Sequence, residues 1–239
     1  MKPEVQANKI VVLSGAGVSA ESGLPTFRDM NGLWNSYAWE DVASAAGWAR
    51  HPDVVLAFYN ERRAQVWRAA PNAAHRAIAS LEQRFEVVVI TQNVDDLHER
   101  AGSSNVLHLH GQLAYARGTS EARRRYQIDG APITIGQLCE DGTQLRPDVV
   151  WFGENVEALD EARSHLVSAA KVLVVGTSLS VFPAASLVKL ARGRAEKTLV
   201  SLDVLKPPFG FTWMKGMASE VVPILTARWL ADAERDGRD

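Results

Sequence analysis

The chain has 239 residues and a single cysteine, Cys139. No intrachain disulfide can form, and a zinc site of four cysteines, or of two cysteines and two histidines, is excluded. A dominant charge is also missing, with 26 basic residues against 28 acidic ones and a net charge of −2. Bulk electrostatics therefore do not mark a nucleic-acid binder. The short run Arg123, Arg124, Arg125 reads as a solvated face. No apolar run approaches the roughly 18 residues of a membrane helix. The segment Ile10 to Leu13 is too short for a signal-peptide core and lacks a basic lead and a cleavage site. Internal repeats and low-complexity tracts are absent as well. The expectation is a cytoplasmic protein with neither a membrane nor a nucleic-acid partner.

What is present is a composition that is 46% hydrophobic with ten prolines, which suits one large buried domain, or one large and one small. Four short runs rich in β-branched residues stand out: "KIVVLSG" from Lys9, "FEVVVITQN" from Phe85, "KVLVVGTS" from Lys171 and "TLVSLD" from Thr198. They are apolar without alternation, as strands buried on both faces are. Helical patterns lie between them. "HPDVVLAFYNERRAQVWRAA" carries Val54, Val55, Phe58, Tyr59, Val66 and Trp67, and "PNAAHRAIASLEQR" carries Ala74, Ile78 and Leu81. "ALDEARSHLVSAA" and "PAASLVKLARGR" are also helix-like. Strands alternating with helices predict an α/β fold built on a doubly wound parallel, Rossmann-like sheet. Residues 112–146 break the pattern and read as a small inserted module, and residues 24–50 read as a long loop with short helices.

Ligands of open α/β sheets sit beyond the carboxyl ends of the strands, so the residues there carry the functional reading. After the first strand come Gly15, Gly17 and Ala20, spaced G-x-G-x-x-A. Glycines there permit a tight turn and close approach to a pyrophosphate, whose charge the following helix N-terminus attracts. The same residues also suit a plain strand-to-helix turn. No second strand ending in an acid follows about 20 residues later, which counts against a standard dehydrogenase. After the second strand come Gln92, Asn93 and Asp95, able either to read a carboxamide and ribose hydroxyls or to cap a helix. In "NVLHLHGQ", His108 and His110 share a face if the segment is extended, and either a general base or packing would suit them. The third and fourth strands end in "GTSLS" and "SLD", which place hydroxyls and an acid at the same edge.

Five pieces resemble the sirtuins, NAD-dependent protein lysine deacylases: "GAGVSAESGLPTFRD", "TQNVDDLHERAG", "LHG", "LRPDVVWFGE" and "GTSLSVFPA". They occur in family order, and the resemblance spans about residues 9–223. It implies a single catalytic domain over 1–239. The NAD-binding part would take about 1–30, 71–111 and 147–239, and the small module about 31–70 and 112–146. The loop from Gly15 to Trp34, with Ala16, Thr26, Phe27 and Arg28, would wrap NAD for cleavage at the glycosidic bond. Gln92, Asn93 and Asp95 would border the nicotinamide ribose and carboxamide, and Gly176, Thr177 and Ser178 the diphosphate and adenosine side. Ser201, Leu202 and Asp203 match a stretch that meets the adenine ribose, usually Asn-x-Glu, with both polar positions changed; Ala218 falls where backbone meets the adenine.

By the same resemblance His110 is the catalytic base, working with Asn93, and His108 is structural. In the mechanism that the resemblance implies, the acyl-lysine carbonyl oxygen attacks the ribose as nicotinamide leaves, and the products would be lysine, nicotinamide and O-acyl-ADP-ribose. Backbone at Val150, Gly153 and Glu154, and at Leu179 to Val181, would pair with an acylated-lysine peptide as an added strand, while Phe152 lines the lysine tunnel. Tyr59 and Arg62, three apart on a helix, resemble the Tyr-x-x-Arg pair of class III sirtuins, which take succinyl and malonyl groups. Arg63 should point elsewhere. Most sirtuins hold a structural zinc with two C-x-x-C pairs. Here Gly118 and Glu121 fall at the first pair and Cys139 alone survives of the second. No zinc is expected, and apolar packing by Leu113, Tyr115, Tyr126, Ile128, Ile133 and Ile135 should hold the module. The expected protein is a zinc-free monomeric deacylase that consumes NAD. A mono-ADP-ribosyltransferase or a non-catalytic NAD sensor is the alternative.

Overall fold

The computed structural model describes residues 4–26, 38–120, 124–204 and 206–236. Six parallel strands form the main sheet: β1 (Gln6–Ser14), β2 (Glu86–Thr91), β3 (Val106–His108), β7 (Ala169–Val175), β8 (Glu196–Ser201) and β9 (Thr212–Lys215). Their order is β3-β2-β1-β7-β8-β9. The chain enters at the centre, builds outward through β2 and β3, then returns beside β1 and builds the other way. The crevice between the carboxyl ends of β1 and β7 is therefore the topological switch point, where this architecture leaves room for a ligand.

The four predicted strands are present, and their unalternating character has the expected cause. Ile10, Val11, Val12 and Leu13 have no exposed surface, because both faces of the sheet are covered. On one face Ile10, Val12, Val89 and Leu173 pack with Ile78 of α5 (Ala73–Ser80) and Trp229 of α8 (Ala218–Asp236). On the other, Val11, Leu13, Ile90 and Val174 pack with Leu166 of α7 (Leu159–Ser168) and with Leu187. Truncating a residue such as Leu13 to Ala would cost about 2–5 kcal/mol. The stretch "PAASLVKLARGR" differs from a regular α-helix, since Ala184–Leu190 forms a 3-10 helix. The C-terminal helix α8 has no counterpart among the sequence-predicted elements.

The other helices are α1 (Gly17–Ala20), α2 (Trp39–Val42), α3 (Ala45–Arg50), α4 (Pro52–Arg68) and α6 (Leu97–Arg100). Helix α4 starts with proline at its first turn, where the missing N–H is harmless. It buries Val55, Phe58, Tyr59 and Val66 against Leu97, Leu113 and Trp151, while Trp67 lies exposed.

A separate antiparallel sheet, in the order β5-β4-β6, contains β4 (Gly111–Arg117), β5 (Arg125–Gln127) and β6 (Arg146–Val149). Its small core joins Ala116, Ile133 and Leu145 to Leu56 of α4, with Tyr126, Ile128 and Cys139 at the margin. Leu113 instead joins the α4 cluster, and Ile135 is exposed, so neither belongs to this core. No helix among the described residues is long and apolar enough to cross a membrane.

Candidate active site

The loop after β1 is docked onto the loop after β7 by backbone alone. Gly15 N donates to Val175 O at 3.0 Å, and Gly17 N donates to Gly176 O at 2.8 Å. A Cβ on Gly176, whose φ is +64°, would stand 2.2 Å from Val18 N, and one on Gly17 would stand 2.9 Å from Gly176 Cα. Close approach, together with a left-handed backbone at Gly176, explains the glycines. Val18 follows as a fully buried side chain that anchors the loop to the sheet core. Glu21 then ties this loop to the start of α8, its carboxylate accepting from Ser219 N at 3.1 Å and from the Ser219 hydroxyl. Of the predicted loop residues, Gly15, Ala16, Gly17, Ala20 and Thr26 are described, while Phe27, Arg28 and Trp34 lie outside the described residues.

Strand β2 delivers Gln92 and Asn93 beside that loop. Gln92 N donates to Ser14 O, and its side-chain amide donates to Thr177 Oγ1 at 3.0 Å, bridging β2 to the "GTS" loop. Thr177 Oγ1 also accepts from Leu179 N at 3.2 Å, which helps to hold Leu179 at its left-handed φ of 54°. Asn93 N donates to Thr91 Oγ1, and its side-chain amide donates to Ser19 Oγ at 3.1 Å. Asp95, which precedes the N-cap residue Asp96, accepts from Leu97 N at 3.2 Å in the turn that leads into α6. Burial raises the Asp95 carboxyl above its ordinary range, against the lowering effect of hydrogen bonds from Leu97 N–H and Ser19 and of the nearby His108.

The two histidines make matching contacts with different consequences. His110 Nδ1 lies 3.0 Å from Gln92 O. A carbonyl only accepts, so Nδ1 carries the hydrogen and the neutral ring keeps its lone pair on Nε2. Burial lowers the His110 pKa, partly offset by this hydrogen bond, which leaves the ring neutral at pH 7. His108 Nδ1 lies 3.0 Å from Asn93 O, but its Nε2 is committed to Glu99 Oε1 at 2.8 Å. His108 therefore holds the Asn93 backbone and has no nitrogen to spare for a proton relay.

Behind these groups lies a polar core that the sequence patterns do not single out. Ser14 Oγ donates to Thr91 Oγ1 at 2.9 Å, and so must accept from His98 Nε2, also at 2.9 Å. His75 Nδ1 accepts from Asn72 N in a capping box, which leaves its Nε2 to face Ser19 Oγ at 3.4 Å. The His75 and His98 rings meet edge to face at 4.9 Å. Burial pushes His98 down to about 3 and His75 to about 4, so both are neutral. The spacing of Asn72 and His75 as Asn-x-x-His before an apolar face was the available signal. Nothing in the local pattern pointed to Ser14 or His98, whose partner is 84 residues away.

On α4, Tyr59 is 6% exposed. Burial raises its phenol to about 12, and neighbouring Trp151, Arg62 and Arg146 only partly offset that. Burial also lowers the Arg62 pKa, with Tyr59 and Asp95 acting in the opposite direction. Arg63 points away to β4, donating from Nε to Leu113 O at 2.7 Å.

The segment after β6 is held on two sides. Val150 N donates to His110 O and Phe152 N donates to Ala43 O, each at 2.9 Å. Phe152 is 43% exposed. Gly153 has a φ of +91°. The Glu154 side chain turns inward and accepts from Trp151 N at 2.8 Å and Arg146 Nη1 at 2.7 Å. Val181 O is taken by Ala185 N. Ser178 and Ser180 hydroxyls meet at 2.6 Å.

At the end of β8, Ser201 O accepts from Gly216 N and from the Trp213 indole, while Ser201 Oγ is buried with no hydrogen-bond partner among the described residues. Leu202 is 62% exposed and Ala218 is buried. The orphaned hydroxyl, the interlocked glycines and the buried amides of the switch point fit an adenosine diphosphate-type ligand such as NAD.

A four-thiolate zinc does not fit. Cys139 Sγ donates to Asp141 Oδ1 at 2.7 Å. A Cβ on Gly118 would stand 2.6 Å from that sulfur. Glu121 lies outside the described residues. Among the described residues no group of three or more His, Cys, Asp or Glu side chains could hold a metal.

Comparison with known proteins gives a consistent answer. The Sir2 family profile matches residues 15–183. A Helicobacter pylori NAD-dependent protein deacylase is 52% identical over 178 residues, covering 74% of this chain and 77% of that protein. The Archaeoglobus fulgidus NAD-dependent protein deacylase 1 is 46% identical over 230 residues, 93% of each chain. Among solved structures, a Sir2 homolog–NAD complex superposes with a TM-score of 0.84 at 40% identity, covering 94% of this chain and 90% of that one. A Sir2 complex with deacetylated p53 peptide and 3′-O-acetyl ADP-ribose gives 0.75 at 31% identity, covering 93% and 92%. The chain belongs to the Sir2 family.

Proposed function

We propose that this chain is an NAD-dependent protein lysine deacylase whose acyl pocket accepts acetyl groups and, through Tyr59 and Arg62, succinyl and malonyl groups. The protein removes acyl groups from lysine using NAD, as its relatives' names and its family membership support. NAD, when bound, supplies an electrophilic ribose carbon with nicotinamide as the leaving group.

The residues of this chain do the rest. Gln92, Asn93 and Asp95 bind the nicotinamide ribose and carboxamide end. The interlocked Gly15–Gly17 and Gly176–Ser178 loops receive the diphosphate, and Ser201 to Asp203 with Ala218 receive the adenosine. His110 Nε2 accepts a proton from a ribose hydroxyl, and Gln92 O holds the opposite side of the ring. Val150, Gly153 and Glu154 present backbone to the peptide opposite Leu179 to Val181, with Phe152 at the mouth of the lysine channel.

The observation that carries the acyl assignment is the position of Arg62. Its Nη1 is buried, and it stands three residues after the buried Tyr59 on α4. The two side chains thus offer a phenol and a guanidinium from one helix face. A distal acyl carboxylate there meets a planar fork whose geometry it matches. We further propose that the enzyme acts as a cytoplasmic monomer.

The test is mass spectrometry of the purified protein with NAD and matched acetyl- and succinyl-lysine peptides. Deacylated peptide with O-acyl-ADP-ribose from both substrates is expected. Removal of acetyl alone would sink the acyl assignment. ADP-ribose appearing on protein with neither peptide deacylated would replace deacylation by transfer.

A further inference from the structure

The small sheet carries an unusual row of charge. Arg117 on β4 is the cross-strand partner of Arg125 on β5 and of Arg146 on β6. Three arginines therefore stand side by side across three strands. Like charges directly opposite one another destabilise a sheet. Arg117 and Arg146 are moreover 8% and 6% exposed, where solvent screens them little.

Two carboxylates separate the arginines. Asp148 lies 2.6 Å from Arg125 Nε and 3.6 Å from Arg117 Nε. Glu154 lies 3.3 Å from Arg117 Nη2 and 2.7 Å from Arg146 Nη1. The result is an alternating ladder: Arg125, Asp148, Arg117, Glu154, Arg146. Four of its members are on the strands, and Glu154 alone belongs to the segment after β6.

Glu154 is also the best-connected group of the ladder. Its Oε2 accepts from Trp151 N at 2.8 Å, and Arg146 engages both of its oxygens. The Arg146 guanidinium lies 3.2 Å above the Trp151 ring and donates to Val149 O at 2.9 Å. Burial alone would push the Glu154 carboxyl up, but the Arg146 contacts, Trp151 N–H and Arg117 together bring it below the usual range. The carboxylate is thus ionised and fixed by donors from β4, from β6 and from its own turn. Its backbone, with Val150 and Gly153, forms the edge assigned above to the peptide.

We propose that Glu154 is a positioning residue: through the arginine–carboxylate ladder it fixes the Val150–Glu154 edge, and so sets the affinity for the acyl-lysine peptide. This rests on the peptide-edge assignment under the proposed function. The ladder crosses the sheet in a module that has one cysteine to offer a metal, so charge alternation joins the three strands to the substrate edge.

The test is steady-state kinetics of Glu154→Gln, which keeps an acceptor for Trp151 N but removes the charge. An edge displaced by even a fraction of an ångström weakens peptide capture, so the peptide KM should rise about tenfold or more. The kcat at saturating peptide and the KM for NAD should stay within about threefold of wild type. Arg117→Gln leaves the Arg146–Glu154 pair in place and should raise the peptide KM by a smaller factor; it serves if Glu154→Gln does not fold. A carboxylate that merely stabilised the module would lower the folded fraction and hence kcat, with both KM values unchanged. An unchanged peptide KM in folded variants overturns the proposal. Failure of the edge assignment reads differently: Phe152→Ala would then leave the peptide KM of the wild-type background unaltered.

Discussion

His110 Nδ1 sits 3.0 Å from the carbonyl oxygen of Gln92, the residue whose side-chain amide bridges to Thr177. One backbone carbonyl thereby sets the tautomer of the proposed base, and one side chain locks that carbonyl's residue between two strand ends. Replacing His110 with Ala should lower deacylation by about 10²–10⁴-fold, the range for removing a general base. NAD binding should persist, as the glycine loops and Asn93 are untouched. Near-normal turnover would refute the assignment. Because burial lowers this histidine's pKa, the base stays unprotonated until the pH falls below the ordinary histidine value of 6.5. The acid limb of the kcat/KM profile should therefore lie below that value, and a limb above it would contradict the neutral ring.

Arg62→Met keeps the length of the side chain and removes the fork. A charge-assisted hydrogen bond is worth about 1.5–3 kcal/mol, so kcat/KM for succinyl-lysine peptide should fall by roughly 10–100-fold. The acetyl-lysine rate should change far less, since acetyl offers no carboxylate. Equal losses on the two peptides would mean that Arg62 does not read the acyl end.

The buried pair His75 and His98 makes acid a destabilising agent. An unfolded histidine titrates near 6.5, whereas in the fold these two are held down near 4 and 3. Below pH 6.5 the unfolded chain binds protons that the native chain refuses. Stability is thus complete above pH 6.5 and is lost as the pH falls toward the folded values. Between pH 6.5 and 5 each histidine removes about 2 kcal/mol, one and a half pH units at about 1.4 kcal/mol each. His98→Gln should shrink the drop in melting temperature over that interval. The same drop in both proteins would show that His98 is not the titrating group.

Chelators should leave the melting temperature and the deacylation rate unchanged, because Cys139 is hydrogen-bonded to Asp141 and Thr143. Differential scanning with and without EDTA checks this. A fall on chelation, reversed by added zinc, would reveal a metal that these residues do not account for.

The sheet was legible in the sequence because its physics is local. Runs such as "KIVVLS" and "KVLVV" lack alternation, and only strands covered on both faces can be written that way. Helices α4, α5 and α7 carried their own periodicity, α4 with a proline in its first turn and α5 with the Asn72–His75 capping box. The 3-10 helix at Ala184–Leu190 did not announce itself, because 3-10 and α-helical apolar spacings are indistinguishable over seven residues. Gln92, Asn93 and His110 could be named from strand-end position and family resemblance, yet spacing alone could not separate His108 from His110. The resemblance drew that distinction, and the structure adds a physical reason for it: Glu99 occupies the second nitrogen of His108.

The sequence by itself determined the strand and helix alphabet, the one-cysteine limit on metal binding and the motif order that marks the family. Tertiary structure decided which groups oppose one another. The arginines at 117, 125 and 146 are inconspicuous along the chain, and only strand register aligns them. Likewise parallel pairing of β1 and β2 brings Ser14 to Thr91, 77 residues away, and α6 brings His98 to Ser14 across 84 residues. Local propensity acts over a few residues. Charge compensation and buried hydrogen bonding are set by distances that exist only once the strands have paired.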